Sequence, residues 1–211
     1  MGYSPDQVLD LWFPNTGFWD SQEAFGAWIR ERMYGGMDAI ICADFADLTR
    51  AAAAGELDNW AETAEGRVAL LIALDQFPRS LWRDTPGAYA QDIKANLLVL
   101  EGVRNGHFAQ VAPYKKLFFL IALGHCEGPD HLDRLDLIDT LSEQLIAELP
   151  EALAPLSEGL LSQNARVRGV IESFGRHPHR NPHYGRVSSA AEEAYIATGD
   201  FPHVQSNAPG P

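Results

Sequence analysis

Leu132, Leu135, Ile138, Leu141 and Leu145 recur at three- and four-residue steps against an acidic opposite face. That is the period of an amphipathic helix, not of a strand. The same period runs through most of the chain. No sustained two-residue alternation of apolar and polar residues appears, and β-branched residues are scarce. The expected fold is therefore all-α: one domain built as an irregular stack of about seven to nine antiparallel helices.

Punctuation supports this reading. Ser4-Pro5 opens the first helix with a cap and a preset first residue, and Thr85-Pro86 repeats the device before "GAYAQDIKANLLVLEGV". There Tyr89, Ile93, Leu97 and Leu100 form the expected apolar stripe, closed by Gly102 or Gly106. "MDAIICADFADLTRAAAAGEL" sets Ile41, Phe45 and Leu48 on one side and stops at Gly55. "EALAPLSEGLLSQNARVRGVIESFG" reads as a helix ended by Gly175, and Ser189 with Glu192 makes a capping box for a last short helix. Residues 1–198 are expected to form the domain, with "GDFPHVQSNAPGP" (199–211) a Pro- and Gly-rich tail that frays.

The 211 residues suffice for one sizeable core, and sixteen Lys and Arg stand against twenty-nine Asp and Glu, a formal charge of −13. That balance argues against nucleic acid and anionic membranes as partners. The longest apolar runs, 68–74 and 117–123, are too short to span a bilayer. Without a signal-like N-terminus, a cytoplasmic protein is expected. Cys42 and Cys126 have no metal-type spacing and are expected as free, largely buried thiols.

Three polar blocks interrupt this apolar background. The segment Arg176 to Arg186 holds three Arg, three His and no acid, punctuated by Pro178 and Pro182. It is expected to make a surface crossing between helix ends at Gly175 and Ser189, and loops of that length are usually functional or mobile. Arg176, Arg180 and Arg186 each offer a planar fork to a carboxylate or phosphate. His177, His179 and His183 suggest zinc, but no Cys or carboxylate completes a set and the arginines oppose a cation, so no metal is expected. The second block, "LDQFPRS", places Asp75 and Gln76 at the edge of a buried helix that Pro78 should break or bend. Asp75 can accept from Arg79 or from the distant arginine loop. In the third, "GHCEG", His125 and Glu127 sit just past an apolar helix and could do acid–base work if they converge. The aromatic-rich stretch "LWFPNTGFWDSQEAFGAWIRERMYGG" is expected either to pack an N-terminal helix on the body or to line a cleft.

These blocks, in this order, resemble a bacterial family known as domain of unknown function 924. Its members usually read Leu-Asp-Gln-Phe-Pro-Arg, then His-Ser-Glu, then Phe-Gly-Arg-Phe-Pro-His-Arg-Asn. "VLDLWFP" near the N-terminus and "GEL" with Asn59-Trp60 also match, so the resemblance covers the chain up to about residue 198. It implies a tetratricopeptide-like helical fold and no established activity. Asp75, Gln76, Phe77, Pro78 and Arg79 match the first block, His125 and Glu127 the second, and Arg176, His179, Arg180, Asn181 and Arg186 the third. The sequence departs at Cys126, where Ser is usual, at His177, where Phe is usual, and in "NARVRGVIES", which lacks a His common in the family.

Three functions fit. The first is a small-molecule site in a helical cleft. Here Arg79, Arg176, Arg180 and Arg186, with Asp75, Gln76 and Asn181, hold a small anionic molecule, and His125, Glu127 and His179 supply acid–base chemistry. No cofactor-binding motif is present and none is expected. The second is a tetratricopeptide-like module binding acidic peptides. The third makes the blocks a buried ion-pair network that fixes the fold.

Overall fold

The computed structural model describes residues 2–15 and 17–202, so residues 203–211 of the expected tail lie outside the described residues. Helices α1 (Pro5–Trp12), α2 (Gln22–Met33), α3 (Asp38–Asp44) and α4 (Ala46–Ala54) lead to a central rod. The rod is α5 (Ala64–Leu71) and α6 (Phe77–Leu81), joined without a break through a π-turn at Ile72–Gln76. Then follow α7 (Asp92–Arg104), α8 (His107–Gln110), α9 (Pro113–His125), α10 (His131–Ala147), α11 (Leu156–Phe174), α12 (Asn181–Tyr184) and α13 (Ala190–Thr198). The fold is all-α and single-domain, with no strand among the described residues. No helix among them is long and apolar enough to cross a membrane.

Every residue from Val68 to Leu74 is fully buried, which is why this run shows no amphipathic stripe: it is covered on all sides by α1, α4, α7 and α9. α9, α10 and α11 pack consecutively through short connections and so run antiparallel. At the N-terminus Trp12, Phe13, Phe18 and Trp28 interleave with Tyr114 and Phe118 of α9, fixing α1 and α2 on the body. The Trp28 indole N–H donates to the Trp12 carbonyl at 2.9 Å, and Arg32 donates to the Leu11 and Trp12 carbonyls at 3.2 Å. Those bonds satisfy the last turn of α1, whose carbonyls have no partners within the helix.

The capping signals at Ser4 and Ser189 act as read: Ser4 N–H takes the Gln7 side chain at 3.0 Å, and Ser189 N–H takes Glu192 at 2.8 Å. Other local readings change. Thr85-Pro86 opens only a 3-10 turn, Pro86–Tyr89, and α7 begins later. The segment from Asp38 to Ala54 divides at Phe45. Cys42 is exposed rather than buried. The largest change is on α7. Ile93 and Leu97, expected in the core, are 66% and 59% exposed, while Asp92, Ala95, Asn96, Val99 and Gly102 face inward. The inward side serves three arginines. Asp92 meets Arg79 and Arg180 as a counter-charge, and a Cβ on Gly102 would lie 2.6 Å from Cδ of buried Arg67, so only glycine lets that side chain pass.

This orientation of α7 is checked by chemical denaturation of two variants. Leu97→Lys should change stability by less than about 0.5 kcal/mol, and Val99→Ala should cost about 1–3 kcal/mol. The reverse order would place the helix the other way round.

Candidate functional site

The site starts from the π-turn. Phe77 N–H bonds back to the Ile72 carbonyl, five residues away, so the rod gains one residue there and continues past Pro78 instead of breaking. The widened turn carries Asp75 and Gln76, both buried, towards α7 and α9. Asp75 lies 2.9 and 3.1 Å from Nδ1 of His125, the last residue of α9. Gln76 Nε2 donates to the same carboxylate, and Arg79, one turn on, lies 3.3 Å from it.

The arginine segment is not a surface crossing. Gly175, at φ +68°, ends α11, and the chain turns inward through the 3-10 turn Pro178–Arg180 and α12. His177, Arg180 and Asn181 are buried to 2% exposure or less. Arg180 reaches the centre of the molecule, where it donates to Asp92 at 3.2 Å and to the His125 carbonyl at 2.8 Å. Its guanidinium lies 4.5 Å from the Tyr89 ring centroid. Arg79 donates to both oxygens of Asp92, at 3.0 and 3.1 Å. Two buried acids, Asp75 and Asp92, thus face two arginines from opposite ends of the chain.

The other site residues form two further pairs. Glu127 accepts from Arg186 at 2.6 Å and from the His177 backbone N–H at 2.7 Å. Arg176 clasps Glu192 of α13 at 2.7 and 3.0 Å. Asn181 donates to Ser188 Oγ at 2.9 Å. His179 lies beside His177 and stacks on Phe201 at 4.8 Å. The structure therefore brings Asp75 and His125 into one pair, and holds Glu127 and His179 in separate pairings. Every one of the four arginines named from sequence grips a carboxylate of its own chain.

Burial, reinforced by Arg79 and Arg180, holds His125 well below the ordinary histidine value, so its ring is neutral near pH 7. Burial likewise lowers His131 to about 4 and His179 to about 3. For Glu127, burial acts upward but is outweighed by Arg186 and the His177 N–H, and its carboxyl lies below the usual range. Burial pushes the Cys126 thiol up to about 11, so it is no nucleophile near neutrality.

His125 also lines a cleft of about 460 Å³ bounded by α2, α9, α10 and α11. Its walls are mainly apolar, with Trp19 and Phe25 on one side and Leu120, Ile121, Leu145 and Leu160 around them. The aromatic-rich N-terminus thus does both things expected of it: Trp12 and Phe13 pack, while Trp19 and Phe25 line a cleft.

The model of a family described as bacterial protein of unknown function (DUF924) matches residues 8–200. The chain belongs to that family. A solved structure, of a protein of unknown function from Agrobacterium tumefaciens, is similar at 29% identity with a TM-score of 0.67, covering 92% of this chain and 97% of that one. No curated protein matches. In this DUF924 chain the first and third blocks meet through a residue that belongs to neither. Asp92 gives no local sign of its role, since it sits in an ordinary-looking helix start; only its alignment with Ala95 and Val99 marks an inward acid. Glu192 was read only as a cap, yet it also receives Arg176.

The buried neutral histidines make stability depend on pH. An unfolded histidine binds its proton near 6.5, whereas His131 and His179 resist protonation until about pH 4 and about pH 3. Below about 6.5 the unfolded chain holds more protons, so stability falls as pH falls through that window. Glu127 and Glu192, held below their ordinary 4.5, add to the loss at lower pH, and Asp92, pushed up by burial, opposes it. The melting midpoint should drop by roughly 5–10 °C from pH 7 to 5. His131→Phe should flatten that slope by about one proton; a pH-independent midpoint would contradict the assignment.

Proposed function

We propose that this protein binds a small molecule in the apolar cleft and acts on it by proton transfer at His125, oriented by Asp75. One observation carries the reading: the imidazole that lines the cleft is held through Nδ1, 2.9 Å from a buried carboxylate. A carboxylate there fixes the proton on Nδ1 and leaves Nε2 as the basic nitrogen. It also stabilises the imidazolium that forms when a proton is taken up. Hydrolysis or proton abstraction needs nothing further by way of cofactor.

The arginines enter this reading as a frame. What supports it is that Arg79, Arg180, Arg186 and Arg176 each hold an internal acid, so the anion expected on their forks is supplied from within the chain. Glu127 has the weaker support as a proton carrier, because its oxygens are already engaged by Arg186 and the His177 N–H. The peptide-binding reading draws its support from the antiparallel stacking of α9, α10 and α11, which would give a tetratricopeptide-like groove at the same cleft.

A thermal-shift screen of neutral and anionic metabolites tests the placement. A hit should raise the melting midpoint by several degrees at saturation. Leu160→Trp, which fills the cleft, should abolish the shift, and Arg176→Ala should leave it. Any turnover found with a hit should fall about 10²–10⁴-fold in His125→Gln. A shift that survives Leu160→Trp and vanishes in Arg176→Ala would move the ligand to the arginine segment.

A further inference from the structure

The lining of the cleft is sorted along its length. Trp19 packs on Tyr114 in the first turn of α9, with ring centroids 5.6 Å apart, whereas His125 is the last residue of that helix. The Lys116–Glu148 ion pair, at 2.5 Å, sets the end of α10 beside the start of α9. Leu145 and Leu149 therefore belong to the Trp19 end, and so does Leu156, the first residue of α11, across a short connection. At the other end Asn164 donates to the Leu135 carbonyl at 3.2 Å, which brings the middle of α11, with Gln163, beside the first two turns of α10 and so towards His125. Phe25 packs on Trp19 and Trp28 on Phe118, so α2 advances with α9 and carries Tyr34 towards the His125 end.

His125, Gln163 and Tyr34 thus gather at one end of the cleft, and Leu117, Leu145, Leu149 and Leu156 at the other. Two polar side chains fall outside this division. Ser142 lies between the ends and is only 1% exposed, and Trp19 adds a single indole N–H to a large apolar ring. From Leu117 to His125 α9 rises about 12 Å, and from Leu156 to Val167 α11 rises about 16 Å. A volume of about 460 Å³ is ordinary for a small-molecule site. Drawn out over that length it makes a narrow slot, which suits a slender ligand better than a compact one.

We infer that the cleft takes a single-chain amphiphile, an unbranched hydrocarbon with one oxygen-bearing head, lying with its head at His125 and its chain along Leu117, Leu145 and Leu156. The inference rests on the cleft reading above and adds the substrate class and the direction in which it lies. The head then sits where the proton transfer is proposed, and the chain supplies the binding. Each methylene removed from water should strengthen binding about three- to fourfold. A second polar head at the far end would lose its water among leucine side chains, with the Trp19 N–H to meet it.

Titration calorimetry with 1-butanol, 1-hexanol, 1-octanol and 1,8-octanediol tests both parts. On the parent protein, affinity should rise about tenfold for each added pair of methylenes. The diol should bind about tenfold more weakly than 1-octanol, or worse. Leu156→Trp, which shortens the far end, should bring 1-octanol down to the affinity of 1-hexanol while leaving 1-butanol within about twofold. The ligand series on the parent protein stands even if that variant folds poorly. An affinity that does not grow with chain length, or a diol that binds as well as 1-octanol, overturns the assignment and leaves the cleft as a site. A folded Leu156→Trp that loses 1-butanol as well as 1-octanol overturns the direction. If none of the four binds but a hit from the metabolite screen does, the chain class is overturned and the cleft stands. If neither they nor any screened compound binds, the cleft reading itself falls.

Discussion

Asp92 is shared by two arginines, Arg79 and Arg180, that the chain delivers from just over a hundred residues apart. Arg79 comes from the rod at 3.0 Å and Arg180 from the folded-in segment at 3.2 Å. Asp92 and Arg180 lie in the interior and Arg79 is half-buried beside them, and charges that lose their water must be matched. The match is close: Asp75 and Asp92 against Arg79 and Arg180, with Tyr89 packed against the guanidinium of Arg180. Removing Asp92 leaves Arg180 buried without its counter-charge. The segment 176–186 is therefore seated by electrostatics as much as by packing, which is why Arg180 within it can be buried at all.

The geometry of the candidate site follows from that frame. The π-turn gives the rod the extra residue that aims Asp75 at α9, and Arg180 holds the carbonyl of His125 from the opposite side. The imidazole is consequently fixed at both its ring and its backbone. It sits where the charged interior ends and the apolar cleft begins. A network that stabilises the fold and the fixed histidine of the proposed site are two consequences of one arrangement.

Much of this was legible in the sequence, and the misses share a cause. Apolar periodicity identified the all-α class because helix burial repeats every three to four residues. The caps at Ser4 and Ser189 and the stops at Gly55 and Gly175 were legible because their chemistry is local. The pairing of Asp75 with Arg79 was legible too, since it spans one turn. α7 was read backwards because counting apolar residues favours Ile93 and Leu97, whereas its inward side is decided by arginines far away in sequence. Pro78 signalled a break, but complete burial of the rod makes a widened turn the better accommodation.

The claim on which the rest depends is that Arg180 and Asp92 stabilise the fold as a unit. Urea denaturation of Arg180→Met, Asp92→Asn and the double variant measures it directly. Each single change should cost about 3–5 kcal/mol, because it strands a buried charge. The double variant should cost clearly less than the sum, by roughly 1.5 kcal/mol or more. Additive effects, with each single change costing under about 1 kcal/mol, would mean that the two residues do not share the interior charge balance and that the frame described here does not hold His125 in place.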